Sequence, residues 1–424
     1  MEQLPLLRGS YLPPLLRYDL LWNYLPSLPA PCESRSLRGR KGYDDNRLLR
    51  ALVVRCLATL PTLVALVDSL NMNPSLLECL GMNPLLGSPP VERFSSFLRD
   101  TPNAALQEVR LALARALMDE GVIQGKGLAI DSCPVIAPVR ENNLKTHLLH
   151  ARFDKTRFPK GDPDARLGVR IHFPSQQQKK VTYFWGYRNH TISDADSELP
   201  VCEQTHPANA SEVKVAIPLL RAANALGLVT SYVAGDTAYD AETVLAVIVN
   251  ELHAKPIVPR RARTEETQDY TLRGGQVYCP ADLPMVHKGK MTVKAAGYTY
   301  RQYVCPLHWK KSFQQKFLAC PAFHPKFFQQ KGCNALIRLT PSLRSQIPYA
   351  TEEFKNLYHK RTAVERSYSR LLTLTLEHPS VRGFNASRNH CTIAHIAALL
   401  VALTASRMGE HDKIRAIRTF IPSL

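Results

Sequence analysis

From Asp44 the chain takes on a helical rhythm. Leu48, Leu49, Leu52 and Val53 line one stripe, and Leu63, Leu66, Val67 and Leu70 repeat it beyond Pro61, the spacing of amphipathic helices. Asn73-Pro74 and Ser88-Pro89 open two shorter helices, and Thr101-Pro102 opens a long one that stops at Gly121. Proline fits the first turn of a helix and glycine the position past its last. Residues 44–125 are thus predicted to form an all-helical N-terminal domain, with Arg47, Arg50, Arg55, Arg93 and Arg99 available either to a packing module or to a DNA-binding bundle. The preceding residues 1–43, proline-rich and carrying Arg35, Arg38, Arg40 and Lys41, are predicted to be an irregular basic arm.

At Gly127 the period changes. Gly127 to Ser132 is an apolar run closed by Asp131, as a buried strand looks where it reaches the rim of a sheet. Strand-like runs follow at 167–173, 181–190 and 199–204, then a helix from Glu212 to Leu226 ended by Gly227. Ser231 to Ala234 is a second buried strand with an acid, Asp236, just past its tip. A helix at 241–252 and a strand at 255–259 complete a β-rich segment followed by αβαβ. The predicted class is α/β, a mixed sheet with flanking helices, its first part spanning 126–259. From 260 to 334 the alternation breaks down into a Cys-containing insertion. Residues 335–424 are expected to resume the sheet at 335–339 and to end in helices, with 393–405 a buried one too short to span a membrane.

Between these lies a helix that Thr351 can cap, with Glu352 and Glu353 in its first turn and Phe354, Tyr358, Arg361, Glu365, Tyr368 and Leu372 on one stripe. By itself, Arg361 four residues before Glu365 is an ordinary ion pair on a helix surface. With Asp131 and Asp236 upstream, Glu365 also completes the set of carboxylates that a two-metal phosphoryl-transfer site needs. Magnesium takes oxygen ligands, and a bridging carboxylate lets two ions share one phosphate.

Charge narrows the partner. With 54 Lys and Arg against 36 Asp and Glu, the formal charge is +18, a field that attracts polyanions and makes nucleic acid the first candidate. The N-terminus has no compact apolar run ending in a cleavage site, so a cytoplasmic protein is expected.

Several short motifs resemble one family. Tyr358, Arg361 and Glu365 match the pattern Y-x2-R-x3-E, Ala129-Ile130-Asp131-Ser132 and Gly235-Asp236-Thr237-Ala238-Tyr239-Asp240 match its two aspartate segments, and 164–168 and 186–190 resemble its early strands. The chain is similar to bacterial insertion-sequence DDE transposases of that group, with a β-rich insertion before the glutamate. The resemblance implies an RNase H-like catalytic core and an N-terminal helical domain. It further implies two Mg2+ (or Mn2+) ions on Asp131, Asp236 and Glu365, cleavage at the element's ends with strand transfer into target DNA, and a homodimer or higher assembly on DNA. Tyr358 and Arg361 would then contact phosphates beside the scissile bond. The family often has lysine where this chain has Leu372, so Arg366 and Arg370 become the candidates for that DNA contact. A metal-dependent nuclease that does not join strands, or a non-catalytic DNA-binding protein derived from a transposase, would carry many of the same features.

In the insertion, Cys279, Cys305, Cys320 and Cys333 with nearby histidines are either a zinc set or buried free thiols. They lack the short C-x2-C spacing of a knuckle. Runs such as 309–316 and 326–328 alternate basic and aromatic residues, and are either a surface that grips a DNA backbone or a solvated basic face.

Overall fold

The computed structural model describes residues 14–29, 43–175, 178–260, 270–293, 298–324, 327, 329, 332–339 and 342–420. Within the stretch expected to be an irregular arm, Pro14–Trp22 is a helix, α1, with Tyr18, Leu21 and Trp22 buried. Their spacing is helical, and the surrounding prolines mask it in the sequence. The basic run from Arg35 to Lys41 lies outside the described residues, as does the pair Lys326 and Phe328.

Five helices follow, α2 (Asp45–Leu57), α3 (Leu63–Met72), α4 (Pro74–Cys79), α5 (Val91–Asp100) and α6 (Asn103–Asp119). Asp44, Thr62 and Asn73 accept hydrogen bonds from first-turn amides of α2, α3 and α4, satisfying donors that a helix start leaves free. These helices share one compact unit with the sheet, a unit that comprises Met1–Tyr239, Val247–Val258 and Ala350–Leu424. The link is a 24-residue helix, Phe384–Arg407, packed on α2, α5, α6 and the sheet. It is long and apolar enough to cross a membrane, yet its apolar window is wholly buried inside the protein. It begins well before the 393–405 run because Asn389, His390 and Thr392, polar in sequence, are buried as well.

Of the arginines left open to a packing or a DNA-binding role, Arg55 packs. It is fully buried and donates to the carbonyls of Pro61 at 3.0 Å and Pro379 at 2.7 Å, with Nη1 3.3 Å from His390 Nδ1. A guanidinium can leave water only where carbonyls replace its hydration on several sides.

The six-stranded sheet contains β1 (Gly127–Ile136), β2 (Arg166–Ser175), β3 (Gln178–Asp194), β4 (Pro200–Pro207), β5 (Tyr232–Ala234) and β6 (Lys255–Ile257). The long β3 pairs antiparallel with β2 through its first half and with β4 through its second, while β1 runs antiparallel on its other edge. Beyond β1, β5 and β6 add in parallel. A Cβ at Gly186 would run into the carbonyl oxygen of Val135, so only glycine lets β3 pass β1 there.

The second unit, Asp240–Ala246 and Pro259–Tyr349, holds a hairpin of β7 (Thr271–Arg273) and β8 (Gln276–Tyr278). It also has a three-stranded sheet of β9 (Val286–Val293), β10 (Tyr298–Val304) and β11 (Asn334–Arg338). The run expected to resume the main sheet is β11, which instead pairs antiparallel with β10. A five-residue apolar run fixes that a strand forms but not which edge it joins.

Candidate active site

Asp131 and Asp236 stand at one level. β1 and β5 are parallel and in register, with Ala129 opposite Ala234, and each aspartate lies two residues further on. Adjacent strands are about 4.8 Å apart, so the pairing alone brings the two carboxyl-bearing positions side by side. β1 does not end at Asp131 as its apolar run suggests. It continues to Ile136 against β3, and Asp131 marks the point where its other neighbour, β5, stops.

The stripe carrying Glu365 was expected to be one helix and is two. Glu352–His359 is followed by Thr362–Thr373, and between them the amides of Lys360, Arg361, Ala363 and Val364 bond three residues back instead of four, a local tightening of the ladder. Thr351 Oγ1 accepts from Phe354 N at 3.2 Å. At the junction Arg361 reaches Glu365 Oε1 at 2.7 Å and Asp131 Oδ2 at 3.7 Å, and it lies over the Tyr358 ring at 5.4 Å. The second helix is clamped to the sheet by Tyr368, whose hydroxyl donates to the carbonyls of Asn189 at 2.6 Å and Asp131 at 3.2 Å.

Asp131, Asp236 and Glu365 line one cleft of about 470 Å³ together with Ser132, Arg188, Glu212, Tyr368 and Leu372. Glu212 was missed from the sequence. It opens the helix Glu212–Asn224, where an acid is expected simply to complement the helix dipole. In the structure it accepts from Ser132 Oγ at 2.8 Å and pairs with Arg188 at 3.3 Å. The cleft is therefore lined by four carboxylates and two guanidiniums, Arg188 beside Glu212 and Arg170, which is already paired with Glu377 at 2.9 Å, while Arg361 pairs with Asp131 and Glu365 without lining the cleft itself.

That imbalance shows in the electrostatics. Burial pushes the Asp131 carboxyl up to about 7, with the charges of Asp236 and Glu365 adding to it and the Ser132 amide and Arg361 opposing. Asp236 is raised too, chiefly by burial and then by Glu212. An aspartate whose folded-state pKa exceeds its unfolded value costs stability as pH rises from about 4 to about 7. Without added divalent cations, Asp131→Asn is therefore expected to stabilise the fold at pH 8 by on the order of 1–3 kcal/mol, a gain that shrinks to nothing near pH 4. Thermal unfolding across that pH range checks it, and a gain that stays flat with pH would contradict the assigned cause.

Two of the arginines considered for DNA contact lie elsewhere. Arg366 and Arg370 both bind Glu198, at 2.6 and 2.9 Å, and Arg415 joins them at 3.2 Å. Neither lines the cleft, whereas Leu372 does. His190, on β3, is buried and held neutral, its pKa lowered to about 3 by burial and by His206 and Arg188.

The ionised donors of the cleft are all carboxylates, since burial pushes the Cys133 thiol on its wall up to about 12; carboxylate oxygens suit a hard divalent cation, and these carry more charge than their arginines cancel. Among the described residues no three Asp, Glu, His or Cys side chains already close around one point; Arg361 lies between Asp131 and Glu365.

Comparison with known proteins gives three results. The family described as "Transposase DDE domain" matches residues 153–400, a span that includes Asp236 and Glu365 and begins after Asp131. No curated protein matches the chain. Among solved structures, the chain is similar to a piggyBac transposase synaptic complex with hairpin DNA, seen by cryo-EM, at 12% identity and a TM-score of 0.36. The match covers 97% of this chain and 82% of that one.

Proposed function

The chain belongs to the transposase DDE domain family, and on that premise we propose that it is an insertion-sequence DNA transposase with an RNase H-like core. In it, Asp131, Asp236 and Glu365 hold two Mg2+ (or Mn2+) ions. The observation that carries this reading is the level placement of Asp131 and Asp236 on adjacent parallel strands, in one cleft with Glu365. The strand order β4-β3-β1-β5-β6, three antiparallel strands followed by two parallel ones, supports the RNase H-like core. When bound, the ions would activate a water or 3′-hydroxyl and stabilise the leaving oxygen.

The protein's own groups do the positioning. Tyr368 fixes the helix of Glu365 to the backbone of Asp131, so the carboxylates keep their spacing. Arg361, paired with Asp131 and Glu365 in the free protein, would turn to a DNA phosphate beside the scissile bond, where its planar fork can take two oxygens, with Tyr358 next to it. Arg366, half exposed, would reach the DNA backbone from the other side of that helix. Arg370, paired with Glu198, would be the second residue of that contact. Two element ends brought together require at least two copies of the chain.

The experiment is incubation of purified protein with a labelled DNA end and a target duplex, in Mg2+ and in EDTA. The proposal expects cutting and joined product in Mg2+ and neither in EDTA. Cutting without joining would make the protein a nuclease, and DNA binding without cutting would make it a non-catalytic DNA-binding protein.

A further inference from the structure

We propose that Cys279, Cys305, Cys320 and Cys333 together bind one structural zinc ion that holds the second unit in its fold. The four are far apart in sequence, yet they meet in one core with Val277, Met285, Leu307 and Ala335, each thiol 4–5% exposed. All are free thiols. Cys305 N donates to the Cys333 carbonyl at 3.0 Å, which sets those two cysteines side by side, and Cys279 and Cys320 belong to the same core.

The backbone folds tightly at two of these residues. Cys279-Pro280 and Cys305-Pro306 each turn the chain back on itself, with Asp282 N bonded to Cys279 O at 2.9 Å and His308 N to Cys305 O at 3.3 Å. Gly332 brings Cys333 alongside. It sits at φ +55, and a Cβ there would lie 2.6 Å from Cys305 Cβ and 2.7 Å from His308 Cδ2.

Chemistry selects the ion. Soft sulfur ligands favour zinc over the hard cations that suit the carboxylate cleft, so the two sites are independent. The described residues hold no three ligating groups already set around a point, and binding would draw the four sulfurs of this core into a tetrahedral set. Each thiol releases its proton to solvent as its Zn–S bond forms, with no change of oxidation state. The unit gains most because its apolar core is small, and small cores are commonly secured by a metal.

The test uses the full chain. Metal analysis is expected to find about one zinc per protein, released in step with titration of the thiols by an organomercurial. The Cys305→Ser/Cys333→Ser variant loses it. Because that variant can misfold, the wild-type protein is also loaded with Co2+, expected to show the thiolate charge-transfer and tetrahedral d–d bands. Cys320→Ser should alter that spectrum and His308→Ala leave it unchanged. The reverse result would overturn Cys320 as the fourth ligand. Thiols that titrate freely with no zinc released, zinc content unaffected by the cysteine substitutions, or a disulfide among the four would overturn the site.

Discussion

Asp131→Asn, Asp236→Asn and Glu365→Gln are each expected to lower the rate of DNA strand cleavage in Mg2+ on the order of 10³-fold or more, because residues that act as one unit are each indispensable to it. DNA binding should persist, since the field that draws DNA comes from a net charge of +18 that each substitution makes only more positive. The Asp131→Asn protein is a clean case. Relieving the crowded carboxylates should make it more stable at neutral pH, so lost cleavage could not be put down to unfolding. Cleavage rates on a labelled DNA end, measured beside thermal unfolding of the same samples, check the prediction. A variant that cleaves at wild-type rates would remove its carboxylate from the site.

The second large effect concerns stability and not chemistry. Arg55→Ala is expected to cost about 3–5 kcal/mol, the range for breaking a buried, hydrogen-bonded charge network, because it strips partners from the carbonyls of Pro61 and Pro379 and leaves a cavity where a fully buried side chain stood. Pro379 precedes the long C-terminal helix, so Arg55 ties α2 to the chain entering that helix. Urea unfolding of the full chain measures the loss. Were Arg55 instead a DNA contact, the substitution would weaken DNA binding and leave the unfolding midpoint in place.

How much of this could be read beforehand depends on how local each signal is. Asp131 and Asp236 were visible because each follows an apolar run, and Glu365 because Tyr358 and Arg361 share its stripe. That the two aspartates lie level was not visible, since the register of β1 against β5 joins residues about a hundred positions apart. Glu212 was hidden by its setting, an acid in a first helical turn. Where Arg366 and Arg370 lie relative to the cleft follows from spacing alone. At about 100° per residue they point well away from the Glu365 face, while Leu372 returns to it. Their partner Glu198, in the connection between β3 and β4, has no local signature. The split at Lys360 and Arg361 likewise leaves no mark, since neither residue breaks helices. The strand β11 was legible as a strand and not in its pairing, and Arg55 looked like its exposed neighbours because burial of a charge is decided by carbonyls supplied from elsewhere.

The central claim is that Asp131, Asp236 and Glu365 hold the catalytic cations. Crystals of the protein with a DNA end, soaked in Mn2+, test it most directly through the anomalous signal of the metal. Peaks bound by Asp131 and Asp236, with Glu365 turned from Arg361 onto an ion, are the predicted result. Manganese bound elsewhere on the protein, with these three carboxylates still paired to Arg361 or to water, would contradict it.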